Sequence, residues 1–124
     1  MKRSLIIKVK TSMLQNHKLP KSISAKELVE LLKSADKIQI LDVREHFEWD
    51  ICHIEGTLNI PMNLIVESID KISKDIITVV MCHHGIRSMN VIHYLESLGY
   101  KNLINLEGGI HAWATDVDKS MSTY

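Results

Sequence analysis

The sequence predicts an α/β fold: an open, mostly parallel sheet of four to five strands with helices on both faces. Three observations predict it. Short apolar segments alternate with segments of helical period along the chain. The apolar segments are nearly continuous, as strands buried between two helical layers must be. Charged and polar residues gather where those segments stop, at the strand ends where open parallel sheets bind ligands.

The regular pattern begins at Ser22, after Pro20. Ser24 followed by Glu27 is a capping box, and Leu28, Leu31, Leu32 and Ala35 follow at helical spacing, so a helix is expected to about Ser34. "IQILDV" (38–43) reads as a buried strand, "REHFEWDI" as a short helix, and "TLNIP" (57–61) as a second strand stopped by Pro61. Ile65, Ile69 and Ile72 at i, i+4 and i+7 predict another helix. "IITVVMC" (76–82) is the most β-branched segment and is expected to be the central strand. Val91, Leu95 and Leu98 mark a helix closed by Gly99. "NLINL" (102–106) is a further strand, followed by Gly108-Gly109 and a short helix around His111 to Ala114. Residues 1–20 form an arm or short strand plus linker in this reading, 21–117 the domain, and 118–124 a C-terminal tail.

At 124 residues the chain is one domain by length, large enough to bury a core without staples. Fifteen basic and fifteen acidic side chains cancel. The balance predicts no general pull toward nucleic acid or an anionic membrane, so attraction for an anionic substrate has to be local. No apolar stretch approaches the ~18 residues that span a bilayer. "MKRSLIIKVK" starts with charge as a signal peptide does, but its apolar run stops at Ile7 and no small-residue cleavage site follows. A cytoplasmic protein is the expectation. Two cysteines, Cys52 and Cys82, are too few for a disulfide framework, and what matters is whether either is reactive.

Cys82 ends the predicted central strand, and a helix begins within a few residues of it. The backbone has to turn sharply there, for which Gly85 supplies the torsional freedom. Unpaired amides at the start of that helix point toward the loop's centre and favour an anion. A thiol in that field, near Arg87, is expected to have a depressed pKa. Arg87 itself suits an anionic substrate through two parallel hydrogen bonds.

"LDVREHFEWDICHIEGTLNIP" (41–61), "VVMCHHGIRS" (79–88) and "LEGGIHAW" (106–113), in that order, resemble the signatures of the rhodanese-like sulfurtransferase domains over about residues 22–115. The resemblance implies that Cys82 is the nucleophile and sulfur carrier. It takes a sulfane sulfur from a small anionic donor such as thiosulfate and passes it to cyanide, a thiol or a protein acceptor. It further implies that the amides of His83, His84, Gly85, Ile86, Arg87 and Ser88 stabilise the sulfur's charge, that Arg87 binds the donor, and that no metal or organic cofactor is needed. Related tyrosine and dual-specificity phosphatases place five residues between the cysteine and the arginine. Here there are four, His83 to Ile86, the sulfurtransferase length.

Each of these residues also has a plainer reading. Cys82 is otherwise a small buried hydrophobe and Arg87 a surface residue. His83 and His84 invite a metal reading, but neighbours in a tight turn point apart and match no tetrahedral zinc pattern. Lining the pocket mouth and simple exposure both stay open for them. Asp42, Arg44 and Glu48 resemble the family's structural charge set, with Arg44 pairing with Asp42 or Glu48 as scaffolding rather than chemistry. Trp49 and Trp113 read as packing residues. Cys52 stands where the family usually has glycine. It is expected to be a packing thiol rather than a resolving partner for Cys82, which would need Cα atoms within ~7 Å. Two further function classes stay open: a non-catalytic binding or regulatory module, and a thiolate phosphatase or arsenate reductase.

Overall fold

Residues 19–35 and 37–124 are described in the computed structural model. The arm expected over residues 1–20 falls outside them except for Leu19 and Pro20, of which Leu19 packs against the core.

The capping box forms as the sequence requires: Glu27 N–H donates to Ser24 Oγ, and Ser24 N–H to the Glu27 carboxylate at 2.8 Å. It opens helix α1, Ala25–Ser34. Strand β1, Ser22–Ile23, precedes it, and β2, Ile38–Asp42, follows. Next come α2 (His46–Ile51), β3 (Leu58–Asn59), β4 (Ile77–Met81), α3 (Ile86–Ser97), β5 (Leu103–Leu106) and α4 (Gly109–Asp116). The five strands form one sheet in the order β1-β5-β4-β2-β3, every pair parallel.

β4 is the middle strand and all five of its residues are buried, which is what its unbroken β-branched run calls for. Successive residues serve opposite layers. Ile40, Val79 and Met81 pack with Leu28, Leu31 and Ile110 on one face, under α1 and α4. Leu41, Val80 and Cys82 pack with Val91, Ile92 and Leu95 of α3 on the other.

Two expectations change. β1 is only two residues long, too short for any period to announce. The helix expected over Ile65, Ile69 and Ile72 is instead two 3₁₀ segments, Met62–Leu64 and Val66–Lys71, with Ser68 off helical geometry. Ile65 and Ile72 are still buried. The Tyr100 hydroxyl sits on the carbonyls of Ile69 and Ile72, at 3.1 and 2.9 Å, where the segment ends.

Candidate active site

Parallel strands β2, β3 and β4 all deliver their carboxyl ends to one rim, and the charged sequences that follow them meet there. Cys82 follows Met81 at the end of β4. Gly85, with φ of +110°, turns the chain into α3. The turn folds back on the sulfur: Gly85 N–H donates to Cys82 Sγ at 3.0 Å.

The two glycines before α4 have a specific use here. Ile110 N–H donates to the Cys82 carbonyl at 2.9 Å and His111 N–H to the His83 carbonyl at 3.1 Å. The loop's carbonyls are thereby tied outward, leaving its amides to face the sulfur. A Cβ on Gly109 would collide with the carbonyl oxygens of both Cys82 and His83. Only glycine lets α4 approach this closely.

Ser88 and Asn105 complete the sulfur's surroundings. Ser88 Oγ is buried, 3.4 Å from Cys82 Sγ, and donates to Asn105 Oδ1 at 2.5 Å. Asn105 Nδ2 in turn donates to the Gly85 carbonyl at 3.3 Å. Ser88 has one proton. While it points at Asn105, the thiol S–H donates to Ser88 Oγ; once the thiol ionises, the serine proton can turn to the sulfur. Burial works against the thiolate, but Ser88 Oγ and the amides of Ser88, Gly85 and His84 outweigh it, so the Cys82 pKa lies below the usual thiol value. Asn105 gave no signal in the sequence beyond its place in a strand, where a polar residue reads as solvent-facing.

The charged residues divide into two sets. Asp42 and Arg44 are fully buried, and Arg44 donates to Asp42 through Nε at 3.0 Å and Nη2 at 2.7 Å. Arg44 also donates to the carbonyls of Glu48 and Cys52, at 3.1 and 2.8 Å. Asn59 Nδ2, at the end of β3, ties the carbonyls of Asp42 and Arg44, each at 3.0 Å. These contacts bind the loop after β2 to its neighbours and leave no donor directed at Cys82. The Glu48 carboxylate turns the other way, onto Arg87: Nη1–Oε1 2.6 Å and Nη2–Oε2 2.9 Å. Arg87 draws the Glu48 pKa down to about 2, with help from Tyr124 and the Glu45 amide against burial.

Around this rim, His83 is half-buried, His84 is exposed and Ile86 is 76% exposed. The imidazoles of His83, His84 and His111 form a cluster with ring centroids 4.0 to 6.1 Å apart. Burial and the neighbouring His84 hold the His83 pKa below its usual value. Among the described residues, no set of His, Cys, Asp and Glu side chains is arranged to hold a metal ion. Tyr124, in the C-terminal segment, stacks on His83 at 3.8 Å between centroids and 5° between planes. The seam beside it, lined by Cys52, His83, His111, Tyr124 and their neighbours, is too narrow for water. Cys82 itself is 1% exposed.

Cys52 has an extended backbone (φ −164°) that any residue adopts, so the side chain in a glycine's place costs no strain. Its thiol is free and packs with the α1–α4 face, whereas Cys82 belongs to the α3 face.

Comparison with known proteins bears on the family and the fold. Residues 24–116 match the family model described as rhodanese-like domain. Over 105 residues the chain is 36% identical to the probable adenylyltransferase/sulfurtransferase MoeZ of Mycobacterium tuberculosis, covering 83% of this chain but only 27% of that longer protein. It is 33% identical to the thiosulfate sulfurtransferase GlpE of Shewanella oneidensis, covering 75% of this chain and 91% of GlpE. The crystal structure of a rhodanese-like domain protein from Staphylococcus aureus superposes with a TM-score of 0.73 at 35% identity, over 84% of this chain and 98% of that one. With its parallel sheet, its cysteine loop and these relatives together, the chain belongs to the rhodanese-like sulfurtransferase family.

Proposed function

We propose that this protein is a thiosulfate- or persulfide-dependent sulfurtransferase acting through a persulfide on Cys82, in a reducing cytoplasm. The observation that carries the reading is the Gly85 amide 3.0 Å from Cys82 Sγ, within a loop whose carbonyls are tied away from the sulfur. A thiolate there is stabilised before any substrate arrives.

The chemistry follows from that thiolate. Cys82 Sγ attacks the outer sulfur of thiosulfate, forming a new S–S bond. The S–S bond within thiosulfate breaks, and its electron pair leaves with sulfite. The persulfide's charge falls among the same amides that held the thiolate. An acceptor, cyanide or a thiolate, then attacks the outer sulfur. The bond to Cys82 breaks, thiocyanate or a new persulfide departs, and the Cys82 thiolate is restored. Arg87, three of whose five N–H groups are not directed at Glu48, binds the anionic donor. His83 and His84 stand at the mouth, and Asp42, Arg44 and Glu48 hold the surrounding loops.

A second reading draws on a specific observation: Cys82 is almost wholly buried. A sulfur that no donor can reach fits a rhodanese-like module that binds a partner without chemistry. One experiment separates the two. Incubation with thiosulfate adds one sulfur, about 32 Da, to Cys82 in the first reading. Thiocyanate then forms on adding cyanide, and Cys82→Ser abolishes both. An unmodified Cys82 supports the binding module. Turnover of an aryl phosphate without sulfur loading supports a thiolate phosphatase.

A further inference from the structure

Tyr124 lies outside the residues that the family model matches, yet it touches the site at three points. Its ring stacks on His83, the residue directly after Cys82. Its hydroxyl accepts from Arg44 Nη1 at 3.0 Å and donates to Glu48 Oε2 at 2.6 Å. That oxygen is the one that also takes Arg87 Nη2.

We infer that Tyr124 is a positioning residue for the active-site loop, setting through Glu48 how much of the Arg87 charge is left for an anionic substrate and holding through His83 the loop that carries Cys82. The inference rests on the sulfur-transfer reading for its substrate, though its geometry does not. Glu48 has one negative charge to divide. The Tyr124 O–H takes part of the Oε2 electron density that Arg87 would otherwise hold alone. It also fixes the carboxylate against Arg44, which the buried Asp42 anchors to the sheet. Without the hydroxyl, Oε2 is left to Arg87 Nη2 alone, and the carboxylate takes up more of the arginine's charge. The aromatic ring has a separate task. Lying flat on His83, it restrains the first peptide of the loop, so the amides beside Cys82 stay aimed at the sulfur.

Two variants separate these tasks. Tyr124→Phe keeps the stacking and loses both hydroxyl bonds. It is expected to raise the KM for thiosulfate about three- to ten-fold, with kcat and the alkylation midpoint of Cys82 close to wild type. Tyr124→Leu loses the ring as well and is expected also to move the pH midpoint of Cys82 alkylation by iodoacetamide upward. Protection of Cys82 from alkylation by sulfate, which transfers no sulfur, gives a second readout of anion binding, and Tyr124→Phe is expected to raise the half-protecting concentration. If both variants keep the wild-type KM, midpoint and sulfate protection and lose only thermal stability, Tyr124 merely anchors the tail and the inference falls. If the wild type fails to load sulfur, the sulfur-transfer reading falls, while the midpoint and the sulfate protection still decide the role of Tyr124.

Discussion

Arg87 and Glu48, thirty-nine positions apart in the chain, meet fork to fork: Nη1 lies 2.6 Å from Oε1 and Nη2 2.9 Å from Oε2. The geometry is bidentate on both sides, and Glu48 is 6% exposed at its side chain against 32% for Arg87. The pair bridges α2 to the start of α3.

The pair makes stability depend on acid. The folded Glu48 pKa, about 2, lies below its ordinary 4.5, so its contribution is fully present above pH 4.5 and is lost as pH falls toward 2. Solvent around the third-exposed Arg87 screens the interaction, which reduces it to on the order of 2 kcal/mol. Glu48→Gln is expected to lose about that much at pH 7 in urea unfolding, with the gap to wild type closing between pH 4.5 and pH 2. A gap that stays constant across that range would show that the pair adds no pH-dependent stability.

Arg87→Lys tests whether the fork matters as well as the charge. A lysine cannot span both Glu48 oxygens and still offer donors to a substrate in a fixed plane. The KM for thiosulfate is expected to rise about ten-fold or more, with sulfur still loaded on Cys82 at saturating donor. Steady-state kinetics with cyanide as acceptor measures it, and an unchanged KM would remove Arg87 from donor binding.

Ser88→Ala removes the side-chain hydroxyl that sits beside the sulfur. A hydrogen bond to a charged sulfur is worth about 1.5 kcal/mol or more, so the Cys82 alkylation midpoint is expected to move up. Its rate below the midpoint should fall about ten-fold. The pH profile of iodoacetamide reaction reads this directly. If the profile does not move, the backbone amides alone carry the thiolate.

Gly109→Ala places a methyl group against the carbonyls of Cys82 and His83, at a φ of +58°. Steric clash and unfavourable backbone geometry add, and a loss of about 2–4 kcal/mol is expected. The Cys82 alkylation midpoint should also rise, because α4 no longer fastens the loop. Thermal unfolding and the alkylation profile test the two halves; a variant as stable as wild type would mean the loop and α4 move apart freely.

These residues were legible in the sequence to different degrees. The capping box at Ser24 and Glu27, the β-branched run of β4 and the turn at Gly85 express local rules, and each element forms where those rules place it. The segment from Ile65 to Ile72 has the spacing of a helix, but its backbone is a 3₁₀ turn, with Ser68 off helical geometry, whose end meets a tyrosine from a distant loop. Spacing also places Glu48 near Arg44, but its carboxylate takes Arg87, thirty-nine positions on. In the folded protein the buried Asp42 holds Arg44 through Nε and Nη2, and the Glu48 carboxylate faces Arg87 instead. Asn59, Asn105 and Tyr124 act through partners 15 to 80 residues away. No local pattern marks such contacts.

The ties from Ile110 and His111 to the carbonyls of Cys82 and His83 have a consequence for the chain as it is made. The groups that aim amides at the sulfur are supplied by sequence translated after the cysteine itself. Until that later sequence docks, nothing ties those two carbonyls back, and the amides of the loop are not held toward the sulfur. Its acidity is a property of the finished molecule, so the alkylation midpoint doubles as a gauge of whether a given copy has matured.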